Sequence, residues 1–242
     1  MTDTPPTHIR IGIIDSGAAR RHASLIDAAR AFVIRDDALL AVPAHADQLG
    51  HGSAVFDIVH HLAPHARFVI AQVFRERLST TAIQVAAAID WLAEVGVDLI
   101  NLSLGLTQPR PVLEAACQRA REAGVVLCAA APARGGPVFP AAFDGVWRMT
   151  GDARCARAEI SCLMTEQADF GAHVAPLTPP RPHDDGPPHG SGASMGCAHL
   201  SGHLAALLAS DAAPPRQTPA RHIWLRERLQ QQAHYFGPEH HT

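Results

Sequence analysis

Short apolar runs alternate along this chain with stretches whose apolar positions recur at helical spacing. Residues 9–14 (IRIGII) form one such run and end at Asp15-Ser16-Gly17, which predicts a buried strand followed by a turn. Residues 22–33 predict a short helix leading into another strand. Gly50-His51-Gly52 then opens SAVFDIVHHLA, with apolar residues at 55, 58, 59 and 62. Residues 67–74 predict a strand. Residues 79–95 predict a helix capped by Ser79 or Thr80 and stopped by Gly96. Residues 97–104 predict a strand, 111–123 a helix ending at Gly124, and 125–131 a strand.

Strand and helix alternating at this spacing imply right-handed βαβ crossovers. The strands are apolar almost throughout, as burial on both faces requires. The expected fold is therefore α/β, three-layered, with a mostly parallel central sheet flanked by helices. Beyond residue 134 the pattern loosens, with shorter strands at 146–150 and 158–163. The stretch 176–192 is rich in Pro, Gly and His and reads as a loop. A helix follows at 194–209, then a linker at 211–220 and an amphipathic helix near 221–235. No repeat or domain boundary is evident, so residues 1–242 read as one domain with a loose start at 1–8.

Composition narrows the class. Of 242 residues, 47% are apolar, enough for a sizeable core. Aromatics are only 5%, so Ala, Leu, Val and Ile must build that core. The net charge of −3, with no basic stripe, gives nucleic-acid binding no support. No apolar run approaches the roughly 18 residues of a membrane span, and the N-terminus lacks the form of a signal peptide. The five cysteines (117, 128, 155, 162 and 197) are odd in number and not closely paired. They imply reduced thiols and a cytoplasmic location. The sixteen histidines lack carboxylate or thiolate partners at metal spacing, so no metal and no cofactor is expected.

Three punctuated segments carry candidate chemistry: Asp15-Ser16-Gly17 after a strand, Gly50-His51-Gly52-Ser53 opening a helix, and Gly192-Ala193-Ser194-Met195 opening another. Each is also a common structural turn or cap when taken alone. Together they supply an Asp, a His and a Ser. Acyl transfer needs this set: a serine nucleophile, an imidazole to take its proton, and a carboxylate to orient that imidazole. At a helix N-terminus, Ser194 would also feel the positive end of the helix, which favours an oxyanion.

The segments IGIIDSG, GHGSAV, DLINLSLG and SGASMGCAHLSG, in this order, resemble the signature blocks of the subtilisin-like serine peptidases. FGAHVAP at 170–176 resembles the block upstream of their nucleophile loop. The resemblance runs from about residue 9 to residue 209. It implies a catalytic triad of Asp15, His51 and Ser194. It also implies that Ser103, Leu104 and Gly105 form the strand along which an extended peptide or protein substrate is added.

Departures from the family pattern qualify what it implies. The family's Gly-Asn pair, whose Asn donates to the oxyanion, falls here on Pro132-Ala133, leaving the Ser194 backbone N–H as the remaining donor and Arg134 or a nearby amide as a substitute. Loss of one such donor costs about 10²–10³ in turnover, so a slow enzyme is expected. Asp36 and Asp37 are adjacent acids without the further oxygens that calcium requires. With Asp15 so near the start, no prosegment is expected. Cys197 and Cys128 read as small core residues, His199 as a packed residue, and His183 and His189 as loop residues beside Ser194.

The resulting expectation is a narrow-specificity serine endopeptidase that removes a leader or propeptide from a modified peptide. It loosely resembles the leader-removing peptidases of such systems, including the one that matures the small subunit of quinohemoprotein amine dehydrogenase. Proteins of a peptide-modification pathway would be its partners. Two alternatives use the same residues: a non-catalytic protein that clamps a peptide on 103–105, and a transpeptidase or cyclase.

Overall fold

The computed structural model describes residues 8–178 and 192–240. Its strands are β1 (Arg10–Asp15), β2 (Ile26–Arg35), β3 (Ala38–Pro43), β4 (Arg67–Gln72), β5 (Leu99–Leu102), β6 (Val126–Ala130), β7 (Trp147–Gly151), β8 (Ile160–Cys162), β9 (Phe170–Ala172) and β10 (Tyr235–Phe236). The helices are α1 (His51–Leu62), α2 (Ala82–Val95), α3 (Pro111–Glu122), α4 (Ala193–Leu208) and α5 (Pro219–Gln232). The strands form one sheet in the order β10-β8-β9-β7-β6-β5-β1-β4-β2-β3. Its neighbours run parallel except for β2 with β3 and β8 with β9.

Alternate strand residues feed two cores. Ile11, Ile13, Leu99 and Cys128 face the layer containing α1, α4 and α5. Ile14, Ile100 and Leu127 face the layer containing α2 and α3. This is the expected three-layer α/β architecture, with period-two strands buried on both sides. Helices α1 and α4 lie against each other. At the far end of that pair Gly202 meets Leu62 so closely that a Cβ on Gly202 would stand 2.7 Å from the Leu62 Cβ.

Strand order reverses at β1, which pairs with β4 on one side and β5 on the other. Open α/β sheets bind ligands beyond the carboxyl ends of the strands at such a switch point. Asp15 is the last residue of β1.

Three sequence readings need correction. The stretch 22–33 is not helix: a 3-10 turn at Arg20–Leu25 leads directly into β2. Parallel pairing with β4 and a hairpin with β3 claim these residues, so tertiary pairing overrides local spacing. Asp36 and Asp37, at φ 50° and 59°, form that hairpin's turn, which needs two positive-φ residues. The α2 cap is Thr81, not Ser79 or Thr80. The Thr81 side chain accepts from Gln84 N, and Gln84 accepts in return from Thr81 N, making a capping box. The linker at 211–220 is shorter than expected, because α5 begins at Pro219. Most of the 176–192 loop, with His183 and His189, lies outside the described residues.

Candidate active site

Three elements deliver the expected residues to one place. Asp15 arrives at the end of β1, His51 is the first residue of α1, and Ser194 is the second residue of α4. The α1 start packs onto the 15–17 turn, where Gly52 N donates to Ser16 Oγ at 2.8 Å. Gly52 is required there, since a Cβ would lie 2.3 Å from the Gly17 carbonyl oxygen.

Asp15 is fully buried, and both of its carboxylate oxygens lie against His51 Nδ1, at 2.8 and 2.9 Å. A carboxylate only accepts, so Nδ1 carries the proton and Nε2 keeps its lone pair. Burial pulls the His51 pKa down, but the charge and hydrogen bond of Asp15 and the charge of Asp47 outweigh it. The net displacement is upward from 6.5.

Ser194 and His51 line one cavity of about 300 Å³, together with Ser103, Leu104, Gly105, Leu106 and Phe74. The structure thus brings all three expected triad positions and the expected substrate strand together. The Ser194 hydroxyl donates to the Ser103 carbonyl at 3.1 Å. The Ser194 amide falls in the first turn of α4, where main-chain N–H groups lack an intrahelical acceptor. Ala133 and Arg134 do not line this cavity. They follow β6 in a stretch whose neighbours Pro132, Gly135 and Gly136 border a second cavity of about 270 Å³.

Sequence reasoning missed several supporting residues. Asp47 holds the entry to α1, accepting from Leu49 N, Gly50 N, Ser53 N and the Ser53 hydroxyl. An Asp shortly before a helix start was the available signal. Gln72 Nε2 donates to the Ser16 carbonyl at 2.7 Å and so fixes the turn beside Asp15. Buried Asn101 donates to Ser201 Oγ at 2.9 Å and accepts from Ser103 Oγ at 3.0 Å, tying β5 to α4. Val138 lines the second cavity and packs on Gly105, its Cβ and Cγ2 both 3.2 Å from where a Gly105 Cβ would sit. Leu106, which exchanges main-chain hydrogen bonds with Phe139, holds this segment beside the substrate strand.

The other temptations resolve into packing. Cys197 and Cys128 are fully buried free thiols, and burial pushes Cys197 up to about 12 and Cys128 upward as well. His199 packs edge-on against His173, and His60 flanks the packed Phe56–Phe68 pair. Among the described residues, no three His, Cys, Asp or Glu side chains are grouped to hold a metal ion. Among them, too, no helix is long and apolar enough to cross a membrane.

A buried carboxylate–imidazole pair beside a serine at a helix N-terminus, on a doubly flanked parallel sheet, has the layout of a serine hydrolase. The chain belongs to the subtilase family, whose model matches residues 7–135. It is 29% identical over 246 residues to the thermostable alkaline protease of Halalkalibacterium halodurans, covering 94% of this chain. The chain spans 63% of that relative's length. It is 26% identical over 219 residues to subtilisin DY of Bacillus licheniformis, covering 83% of this chain and 77% of that one. Among solved structures, a cold-adapted subtilisin-like serine proteinase superposes with a TM-score of 0.67 at 19% identity, covering 93% of this chain and 84% of the other. A lanthipeptide protease superposes with a TM-score of 0.64 at 16% identity, covering 92% and 79%.

Proposed function

We propose that this chain is a serine endopeptidase that hydrolyses peptide bonds through an acyl-enzyme. The observation that carries the reading is the Asp15–His51 pair, buried and correctly oriented, opening onto the cavity that Ser194 lines. In the first step Ser194 Oγ bonds to the scissile carbonyl carbon while its proton passes to His51 Nε2. The oxyanion is held by the Ser194 amide. The tetrahedral species collapses by breaking the C–N bond, and the leaving amine takes the proton from His51. Water, deprotonated by His51, then attacks the ester, and the acid product leaves as Ser194 regains its proton.

Residues 103–105, which follow β5 directly, offer main-chain groups to an extended peptide, and Val138 beside Gly105 favours a small side chain there. With Ala133 at the usual Asn position, the site is expected to be slow and selective. These features support a processing role: removal of a leader or propeptide from a modified peptide, acting with proteins of that peptide's modification pathway. The five unpaired cysteines support a reducing, cytoplasmic setting. One observation favours the alternative of a peptide clamp without catalysis: the Ser194 hydroxyl is bonded to the Ser103 carbonyl.

A peptidyl phosphonate separates the two readings. Covalent labelling that disappears in Ser194→Ala, together with peptide cleavage by the native chain, supports the peptidase. Peptide binding by folded protein with neither labelling nor cleavage supports the clamp. Product masses identify hydrolysis by the added water.

A further inference from the structure

At the amino-terminal ends of the strands, opposite the end that carries Asp15, a cavity of about 540 Å³ lies where β6 and β7 begin. The C-terminal end of α3, the start of α5 and the chain leading into α5 complete its walls. Three arginines line it, and their guanidinium groups are employed very differently. Arg216 donates to the carbonyls of Gly96, Val97 and Ala123 and pairs with Asp98 at 3.5 Å. Arg121 donates to the Asp144 carbonyl, and its guanidinium occupies the space a Cβ on Gly145 would need. Arg221 is only 7% exposed, and its Nε and Nη1 are buried without a hydrogen-bond partner.

A second orphaned donor lines the same cavity. Trp147 is 1% exposed, and its indole Nε1 is likewise buried without a partner. An unpaired guanidinium cannot escape burial by losing its proton, because arginine stays charged in proteins. Leaving it without an acceptor is strongly unfavourable. Asp98 is the nearest compensating charge, but its two oxygens already serve the Arg10 amide and Arg216. The one acid lining the cavity, Glu122, is exposed and accepts from Gln118. Burial and the neighbouring Arg226 and Arg121 lower the His222 pKa, with Asp169 opposing, so His222 adds no charge at neutral pH.

We infer that this cavity is a binding site for a small oxyanion of phosphate or carboxylate type, with Arg221 as its principal ligand and Trp147 as a second donor. Two residues lining this cavity carry buried donors without partners, while its one lining acid and Asp98 are already engaged. A guanidinium is suited to such an anion, since its planar fork matches two oxygens at once. The bound anion would bridge α5 to the sheet edge and stabilise the fold by mass action. The site is remote from Ser194 and independent of the catalytic reading.

The test is a titration of the full chain with phosphate and, separately, acetate, each against chloride at matched ionic strength. The expected result is a saturable rise in melting temperature with at least one oxyanion, unchanged in Ser194→Ala and at least tenfold weaker in Arg221→Gln. The indole N–H resonance of Trp147 should shift along the same curve, while that of Trp91 stays still. A phosphate-only response assigns the ligand to the phosphate class, and an acetate-only response to carboxylates. No response beyond chloride with either anion overturns the proposal, as does an equal response in folded Arg221→Gln. If that variant does not fold, the indole titration of the native chain decides alone, and a stationary Trp147 signal overturns it.

Discussion

Ser194 and Ser103 hold each other reciprocally. The Ser194 hydroxyl donates to the Ser103 carbonyl at 3.1 Å, and the Ser103 hydroxyl, whose one proton is shared with Asn101 Oδ1, lies 3.0 Å from the Ser194 carbonyl. The proposed nucleophile is thereby fastened to the segment proposed to receive substrate. A peptide added there would bring an N–H to the same carbonyl and release the Ser194 hydroxyl toward His51. Ser103→Ala keeps the carbonyl but removes one of the two ties. We expect kcat to fall about tenfold, the value of one hydrogen bond, with a smaller change in KM. Steady-state kinetics on a cleaved peptide checks this, and a pure KM effect would contradict it.

Asp15→Asn should leave the chain folded but present the wrong imidazole tautomer. Turnover should fall by about 10⁴ while peptide binding persists. Comparing single-turnover rates with binding of the same peptide to Ser194→Ala separates the two effects.

His51 must be neutral to accept a proton, and Asp15 and Asp47 raise its pKa against the effect of burial. The activity of the free enzyme should therefore rise with pH, with its midpoint above 6.5. The stability carried by the Asp15–His51 pair has the opposite dependence. It is fully present below the unfolded-state value of about 6.5 and is lost as pH climbs through the higher folded value. A kcat/KM profile with a midpoint below 6.5 would refute the assignment of His51 as base.

Acid stability depends on different histidines. Burial lowers both His199 and His203 to about 4, and the neighbouring imidazoles of His173 and His61 (for His199) and His234 (for His203) add to the effect. The unfolded chain takes up these protons first, so stability should fall as pH drops from about 6.5 toward 4. Fully buried His199 alone accounts for ~3 kcal/mol at the acid limit. Urea midpoints measured across this range should decline, and His199→Phe should flatten the slope if it folds.

Two substitutions probe rate and selectivity. Val138→Gly removes the methyls packed on Gly105, and should raise kcat/KM for substrates with a larger side chain at that point by about 10–100-fold relative to small ones. Ala133 does not itself line the Ser194 cavity, but if the longer side chain of Ala133→Asn reaches it, turnover should rise at least tenfold, within the ~10²–10³ value of an oxyanion donor. An unchanged rate would locate the oxyanion donors wholly elsewhere.

The sequence exposed those parts of this molecule that depend on neighbours in the chain. Buried parallel strands were readable as continuous apolar runs, and Asp15, His51 and Ser194 were readable because each abuts a glycine turn. Strands β3, β9 and β10 were not, because partners distant in sequence hold them in place. Val138 was hidden for the same reason. Nothing in its own segment shows that it will lie on Gly105, more than thirty residues earlier. Asn101 is a polar residue within an apolar run, and its bonds to Ser103 and Ser201 form only when α4 is laid across β5.

His51 and Ser194 start two helices that touch tightly at the contact of Gly202 with Leu62, more than two turns from either residue. A single methyl on Gly202 would press on Leu62 and force the two helices to shift against each other. Such a shift would alter the gap between the proposed base and nucleophile from the back of the molecule, through residues that line no part of the cavity.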